Sequence, residues 1–215
     1  MAMNCQICWL SDPHLSTIYV LRSLSAGRPF VDLRLREALE PLADQIQASN
    51  ADWRSRQIGE DSSQGDSSPD TLSLIAATES AINELHPSLA VEMGLRQRPL
   101  RELWEAHGPG LLTQMSRLEQ LRLPERAKVV TVLPIQGGGG EAIAEHRAVV
   151  IESVLANPIA EIPEILRLAW LLSQLSPGTD ASLLIPSCLA AARELGIVHQ
   201  DVEQKARDAW LAGLG

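Results

Sequence analysis

Residues 147–175 read Arg147-Ala148-Val149-Val150-Ile151-Glu152-Ser153-Val154-Leu155-Ala156-Asn157-Pro158-Ile159-Ala160-Glu161-Ile162-Pro163-Glu164-Ile165-Leu166-Arg167-Leu168-Ala169-Trp170-Leu171-Leu172-Ser173-Gln174-Leu175. The first third is a run rich in β-branched residues, which suit a pleated, half-buried surface. Asn157-Pro158 then breaks the chain, and Pro163 fits the first position of a dense apolar helix ending at Leu175. The spacing of Ala144, Ala148, Ile151 and Leu155 also matches one helical face, but β-branching favours a strand over Val149 to Leu155. In the helix, Glu161, Glu164, Arg167, Leu171 and Gln174 recur every three or four residues, marking one narrow polar stripe on an otherwise apolar cylinder. A central helix with one wet edge is the plainest reading. On that edge Glu164 and Arg167 are helical neighbours and pair.

Upstream, Val129-Val130-Thr131-Val132-Leu133 is the clearest strand, and the glycine run Gly137 to Gly140 joins it to Val149–Leu155. The simplest expectation is an antiparallel pair linked by a flexible connector. Helices are expected over His14–Leu24 and over Asp32–Gln47, the latter kinked or broken at Pro41 because an interior proline removes a hydrogen bond. Asp70 is expected to cap a helix that ends before Pro87, with Leu72, Ile75, Ala76, Ala77, Ile82 and Leu85 inward. Pro99 opens another through Leu103 and Trp104, Gly108-Pro109-Gly110 ends it, and Leu111–Leu121 makes a further one. Ala181–Leu195 and Asp201–Leu211 complete the set. These elements predict an α+β fold, predominantly helical, around a small sheet of two to four strands.

Arg54 to Asp70 is the sharpest compositional break, with Glu60 to Ser68 passing without an apolar residue. It reads as a mobile polar linker, because it cannot bury enough surface to offset its ordering entropy. It divides an N-terminal helical section, 1–53, from a main α+β body, 71–215. Whether the first section is a separate domain stays open at this level.

A chain of 215 residues with 45% hydrophobic and 21% charged residues lies in the ordinary globular range. One Phe, one Tyr and five Trp leave the core to Leu, Ala, Val and Ile, and offer few platforms for stacking bases. A formal net charge of -9 disfavours the phosphate backbones of nucleic acid and anionic membrane surfaces. No stretch reaches a membrane-spanning length of apolar residues, and Met1 to Cys5 lacks a basic leader, so a cytoplasmic location is expected. Three cysteines fit reduced thiols better than a disulfide framework.

Cys5-x-x-Cys8 is half a zinc knuckle or a redox pair, with no second pair to complete a four-ligand site. Cys188 reads as a small buried hydrophobe. The histidines, His14, His86, His107, His146 and His199, share no ligand spacing, so neither metal nor cofactor is expected. Gly137-Gly138-Gly139-Gly140-Glu141-Ala142 satisfies G-x-G-x-x-A after a strand, with Glu161 about twenty residues on, the outline of a dinucleotide fingerprint. That fingerprint also needs a helix beginning at the glycines and a doubly wound parallel sheet.

Pro163-Glu164-Ile165-Leu166-Arg167 has the spacing of the zinc-peptidase H-E-x-x-H signature, with the glutamate kept and both histidines replaced. A strand, an apolar helix with Glu164, then a helix bearing Glu194: this order resembles the core of gluzincin metallopeptidases. The family binds zinc through the two histidines and a downstream glutamate, and activates water with the motif glutamate. Proline has no side-chain donor and arginine no lone pair to give. The resemblance therefore implies a degenerate, inactive relative. Arg101–Leu112 and Ile151–Leu175 are also similar to an uncharacterised group of bacterial proteins of unknown function, which implies no activity.

The expected function is a non-enzymatic intracellular binding or interaction protein. It would take a partner protein or a small ligand along Glu161, Glu164 and Arg167 and the loop at Gly138 and Gly139. An inactive metallopeptidase-like protein is the second reading. The third is a nucleotide-dependent enzyme using Gly137 to Ala142.

Overall fold

Val129, Val149 and Ile151 belong to one apolar core, and Val130, Val132 and Val150 to another. Alternate side chains of the same strands leave the sheet on opposite sides, so both faces are covered. A strand buried on both faces reads as a continuous apolar run, which is why alternation fails over 148–152. The computed structural model describes residues 5–48, 68–154 and 159–211. The expected linker at 54–70 falls outside these except for its last three residues.

The described chain runs β1 (Gln6–Ser11), α1 (Pro13–Ser25), α2 (Leu33–Ala48), α3 (Pro69–Leu85), α4 (Leu89–Glu119), β2 (Arg126–Val132), β3 (Gly140–Ile143), β4 (Ala148–Glu152), α5 (Glu164–Ser173), α6 (Ala181–Glu194) and α7 (Glu203–Leu211), with a single 3-10 turn at Ala144–His146. The fold is α+β and predominantly helical, with one four-stranded mixed sheet ordered β1-β2-β4-β3. Parallel pairing aligns Gln6 with Arg126 through Ser11 with Thr131, and Lys128 with Ala148 through Val132 with Glu152. β3 runs antiparallel to β4 at the sheet's end, Gly140 opposite Ile151 and Ile143 opposite Ala148. β2 and β4 are thus parallel, not the antiparallel pair expected. The chain reverses once into β3 and once more through the 3-10 turn and Arg147, whose φ is 49°, and so returns in its original direction.

The core on one face of the sheet gathers Tyr19, Val20, Phe30, Leu35, Leu39, Ile82 and Met93; that on the other gathers Trp104, Leu112, Leu166, Trp170 and Leu189. A third cluster, Ile18, Leu21, Ile46, Leu74 and Ile75, binds α1, α2 and α3 together. β1 and these helices tie the N-terminal section into the same sheet and cores as the rest.

Several helix ends differ from expectation for identifiable reasons. α2 passes through Pro41 and α4 through both Pro99 and Pro109 without interruption. In α4 the buried stripe Leu100, Trp104, Leu111, Leu112 and Met115 outweighs two missing backbone bonds. Gly108 is no stop: a Cβ there would lie 2.4 Å from the Trp104 ring, so the glycine makes room for the indole. Ser68, not Asp70, caps α3, accepting from Thr71 N at 3.2 Å with Pro69 following it. Leu72 and Ala76 consequently point outward, and Leu74, Ile75, Thr78 and Ile82 inward. Among the described residues no helix is long and apolar enough to cross a membrane.

Candidate functional site

Glu152 ends β4 with only 1% of its surface exposed, in a strand otherwise apolar. A carboxylate taken out of water must be met by donors or counter-charge, and here the chain folds a loop around it. One oxygen, Oε1, accepts from Ile135 N at 3.0 Å, Gln136 N at 2.7 Å and the Tyr19 hydroxyl at 3.3 Å. The other, Oε2, accepts from Gly138 N and Gly139 N, each at 2.8 Å. Gly137 and Gly138 have φ of 74° and 125°, backbone that only glycine adopts freely, and this turns the amides inward. A Cβ on Gly139 would stand 2.8 Å from Gln136 Oε1 and 2.9 Å from the Tyr19 oxygen, so the loop closes tightly over the carboxylate. Burial, and after it the negative charge of Glu152, push the Tyr19 phenol well above its usual range, so it stays a neutral donor.

Arg167 is the second fastening. It is 3% exposed, buried and not on a wet edge, because its guanidinium reaches back to the sheet. Nη1 donates to Gly139 O at 2.5 Å and Nη2 to Glu152 O at 3.0 Å, while Nε donates to Glu164 Oε2 at 2.9 Å. The guanidinium also forms the expected ion pair with Glu164, whose side chain is 19% exposed. Glu164, Arg167, Gly138 and Gly139 therefore meet around Glu152. Glu161 does not join them: it lies at the surface on Lys205 at 2.5 Å, and that bond holds its carboxyl below the usual range.

Two further arginines flank the loop. Arg22 and Arg28 both reach Glu141 of β3, at 3.1 and 3.4 Å. Glu152, Tyr19, Arg22 and Arg28 were not among the residues that spacing singled out. The available signals were one glutamate inside an apolar strand and the chain's only tyrosine.

The geometry bears on each chemical outline. The glycine loop is neither a flexible connector nor a free anion cradle, since Glu152 occupies its inward amides. Strand β3 follows the glycines where the dinucleotide fingerprint needs a helix. Pro163 precedes the first residue of α5 and Arg167 is committed to two carbonyls and Glu164, so the positions matching zinc-binding histidines hold no ligand. Cys5 and Cys8 stand three apart on a strand or its edge, which sends their side chains to opposite faces. His14 bonds Glu79 at 2.6 Å and His86 bonds Asp32 at 3.1 Å. Among the described residues no group of three His, Cys, Asp or Glu side chains is placed to hold a metal.

Among the described residues, no strand pairs with the outer side of β3. β3 is at the sheet's end, and Glu152 N donates to Gly139 O at 3.0 Å, which turns Gly139 toward β4. Antiparallel alternation then turns Glu141 and Ile143 toward β4, and the N–H and C=O groups of Gly140 and Ala142 to the free side. A Cβ on Gly140 would stand 2.8 Å from Leu171 Cδ1 and 2.8 Å from Val150 O, so the strand lies hard against β4 and α5.

No family model, no curated protein and no solved structure matches this chain.

Proposed function

We propose that the protein is a non-enzymatic binding protein that takes an extended segment of a partner chain as an added strand on β3. The observation that carries this is the edge at Gly140 and Ala142, which no strand among the described residues occupies and whose outward backbone groups form a short template for main-chain pairing. Edge strands left open attract other chains. Here the edge is also stiff, because Glu152 and Arg167 hold the preceding loop from two sides, and stiffness lowers the ordering cost of binding. The polar helix edge and the glycine loop thus serve as the support of the binding strand rather than as its contact surface. A reducing compartment such as the cytoplasm suits the three free thiols.

Ala142→Pro tests the reading directly. The outward N–H of Ala142 takes no part in the ladder with β4, and proline is tolerated on such edge positions. A fluorescein-labelled octapeptide of alternating valine and threonine is expected to bind the natural protein, by fluorescence anisotropy, and to lose binding to the proline variant with its circular dichroism unchanged. Equal binding by both proteins, or none to the natural one, overturns the proposal.

A further inference from the structure

β1 is the strand at the other end of the sheet, and among the described residues no strand pairs with its outer side. Gln6 N donates to Glu125 O at 2.8 Å and Leu10 O accepts from the Thr131 hydroxyl at 3.2 Å, so the even-numbered residues turn their backbone groups to β2. Alternation then sends the N–H and C=O groups of Ile7 and Trp9 outward. The side chains alternate too: Ile7 and Trp9 lie partly buried against the core that holds Trp170, while Cys8 is exposed on the opposite face. End strands commonly carry a lysine, a proline or a bulge that keeps other chains off. Gln6-Ile7-Cys8-Trp9-Leu10-Ser11 has no charged residue and no proline, and it pairs with β2 residue for residue.

We infer that β1 pairs with β1 of a second copy of this chain, antiparallel about a two-fold axis through Cys8, joining the two four-stranded sheets into one. Charge and register select this occupant. Around a two-fold axis a strand meets its own sequence, so a charged edge repels its copy, and β1 carries no charge to do so. Centring the pair on Cys8 lets Ile7 and the partner's Trp9 exchange both backbone bonds, and Trp9 and the partner's Ile7 likewise. Each is an aromatic side chain against a β-branched one, a favourable cross-strand pair. Cys8 then faces the partner's Cys8 at a position without backbone bonds, where the Cα atoms stand about 4.5 Å apart. A disulfide spans Cα separations of about 4.4 to 6.8 Å, so these two thiols are placed to report the contact. Centring on Trp9 instead would set two indoles together and leave Ile7 against polar Ser11. The net charge of -9 opposes association only at long range, and physiological salt screens it beyond about 8 Å. Strand pairing from Gln6 to Leu10 is a small contact beside the ~800 Å² per partner of a standard interface, so the protomers exchange freely. The β3 edge lies at the opposite end of the sheet and stays available.

Sedimentation equilibrium of the full chain at physiological salt, over a concentration series reaching the high micromolar range, should show the mass rising toward that of two chains. Cys8→Lys and Cys8→Glu, at an exposed position, should each keep the circular dichroism of the natural protein and weaken the dimer at least about tenfold, because like charges then face each other. An equal mixture of the two variants should restore it. Cys8→Ser should dimerise as the natural protein does. With oxidised glutathione, the natural protein should yield a disulfide-linked dimer on a non-reducing gel: each Cys8 thiol gives up its proton, one S–S bond forms between the chains, and the glutathione disulfide is reduced to two thiols. Cys8→Ser should give no such band. A natural protein that stays monomeric throughout overturns the inference. So does a dimer that both charged variants leave intact, a mixture that fails to restore it, or a dimer lost in Ala142→Pro, which would place the contact at β3.

Discussion

At the scale of single residues, the load on Glu152 predicts its substitutions. Glu152→Gln is nearly isosteric but replaces one acceptor oxygen with an amide that faces donors. Gly138 N with Gly139 N, or Ile135 N with Gln136 N, would then lose their acceptor. Chemical denaturation should show a loss of roughly 3 to 5 kcal/mol, as when one partner of a buried charged network is removed. Tyr19→Phe removes one longer bond, at 3.3 Å, and should cost about 1 kcal/mol. Arg167→Leu should also cost roughly 3 to 5 kcal/mol, because it strands Glu164 and the carbonyls of Gly139 and Glu152. A loss below about 1 kcal/mol, the range of surface pairs, would return Arg167 to a solvent-facing role. Cys188 gives a test in pH. Burial pushes its thiol from 9.0 up to about 12, so the native state favours the neutral form. That contribution is whole below pH 9.0 and is lost as pH rises from 9.0 toward 12, where the unfolded chain ionises first. Stability should therefore fall in that window, and Cys188→Ala should flatten the fall. In the folded protein at pH 8, Ellman's reagent should reach the exposed Cys8 and leave Cys188 unmodified.

Among the elements, α5 is the most committed. Trp170 is 1% exposed, stacks on Trp210 with ring centroids 5.2 Å apart, and donates to Ala181 O at 2.7 Å. Trp170→Ala should cost roughly 3 to 5 kcal/mol in the same denaturation assay, and a loss under about 1 kcal/mol would mean that α7 does not pack there. This helix was legible in the sequence because its apolar residues outnumber every alternative placement. β4 was legible for the same reason, as were α1, α6 and α7 to within a few residues. β1 was not, since Cys5 to Ser11 mixes polar and apolar residues without turn signals around it. β3 was hidden as well: Gly140, Glu141 and Ala142 all have low strand propensity, and only pairing with β4 makes them a strand. Missing β3 is what made β2 and β4 look like an antiparallel pair. In the site, the 164–167 pair was readable from helical spacing, whereas its burial was not, because the groups that bury Arg167 lie 15 and 28 residues away. Four successive glycines suggest freedom, and only the carboxylate of Glu152, brought across by the sheet, shows that these glycines serve a fixed conformation.

For the whole molecule, the parallel ladder from Gln6–Arg126 to Ser11–Thr131 joins the first and middle parts of the chain. If the peptide bond were cut within 49–67, the two fragments should still elute as one species in size-exclusion chromatography, held by β1 against β2 and by α1 against α3. Elution as two separate species would mean that 1–53 is an independent domain. The same ladder has a consequence for how the protein is made. Gln6 pairs with Arg126, which follows it by 126 − 6 = 120 positions. A ribosome adding about 5 to 20 residues per second needs on the order of 6 to 24 s to cover the distance between them. For that interval β1, with Trp9 and Leu10 on it, is a nascent segment without its native neighbour. Ribosome-associated chaperones that hold emerging apolar segments should therefore crosslink to residues 6–11 as these leave the exit tunnel and release them once β2 has followed.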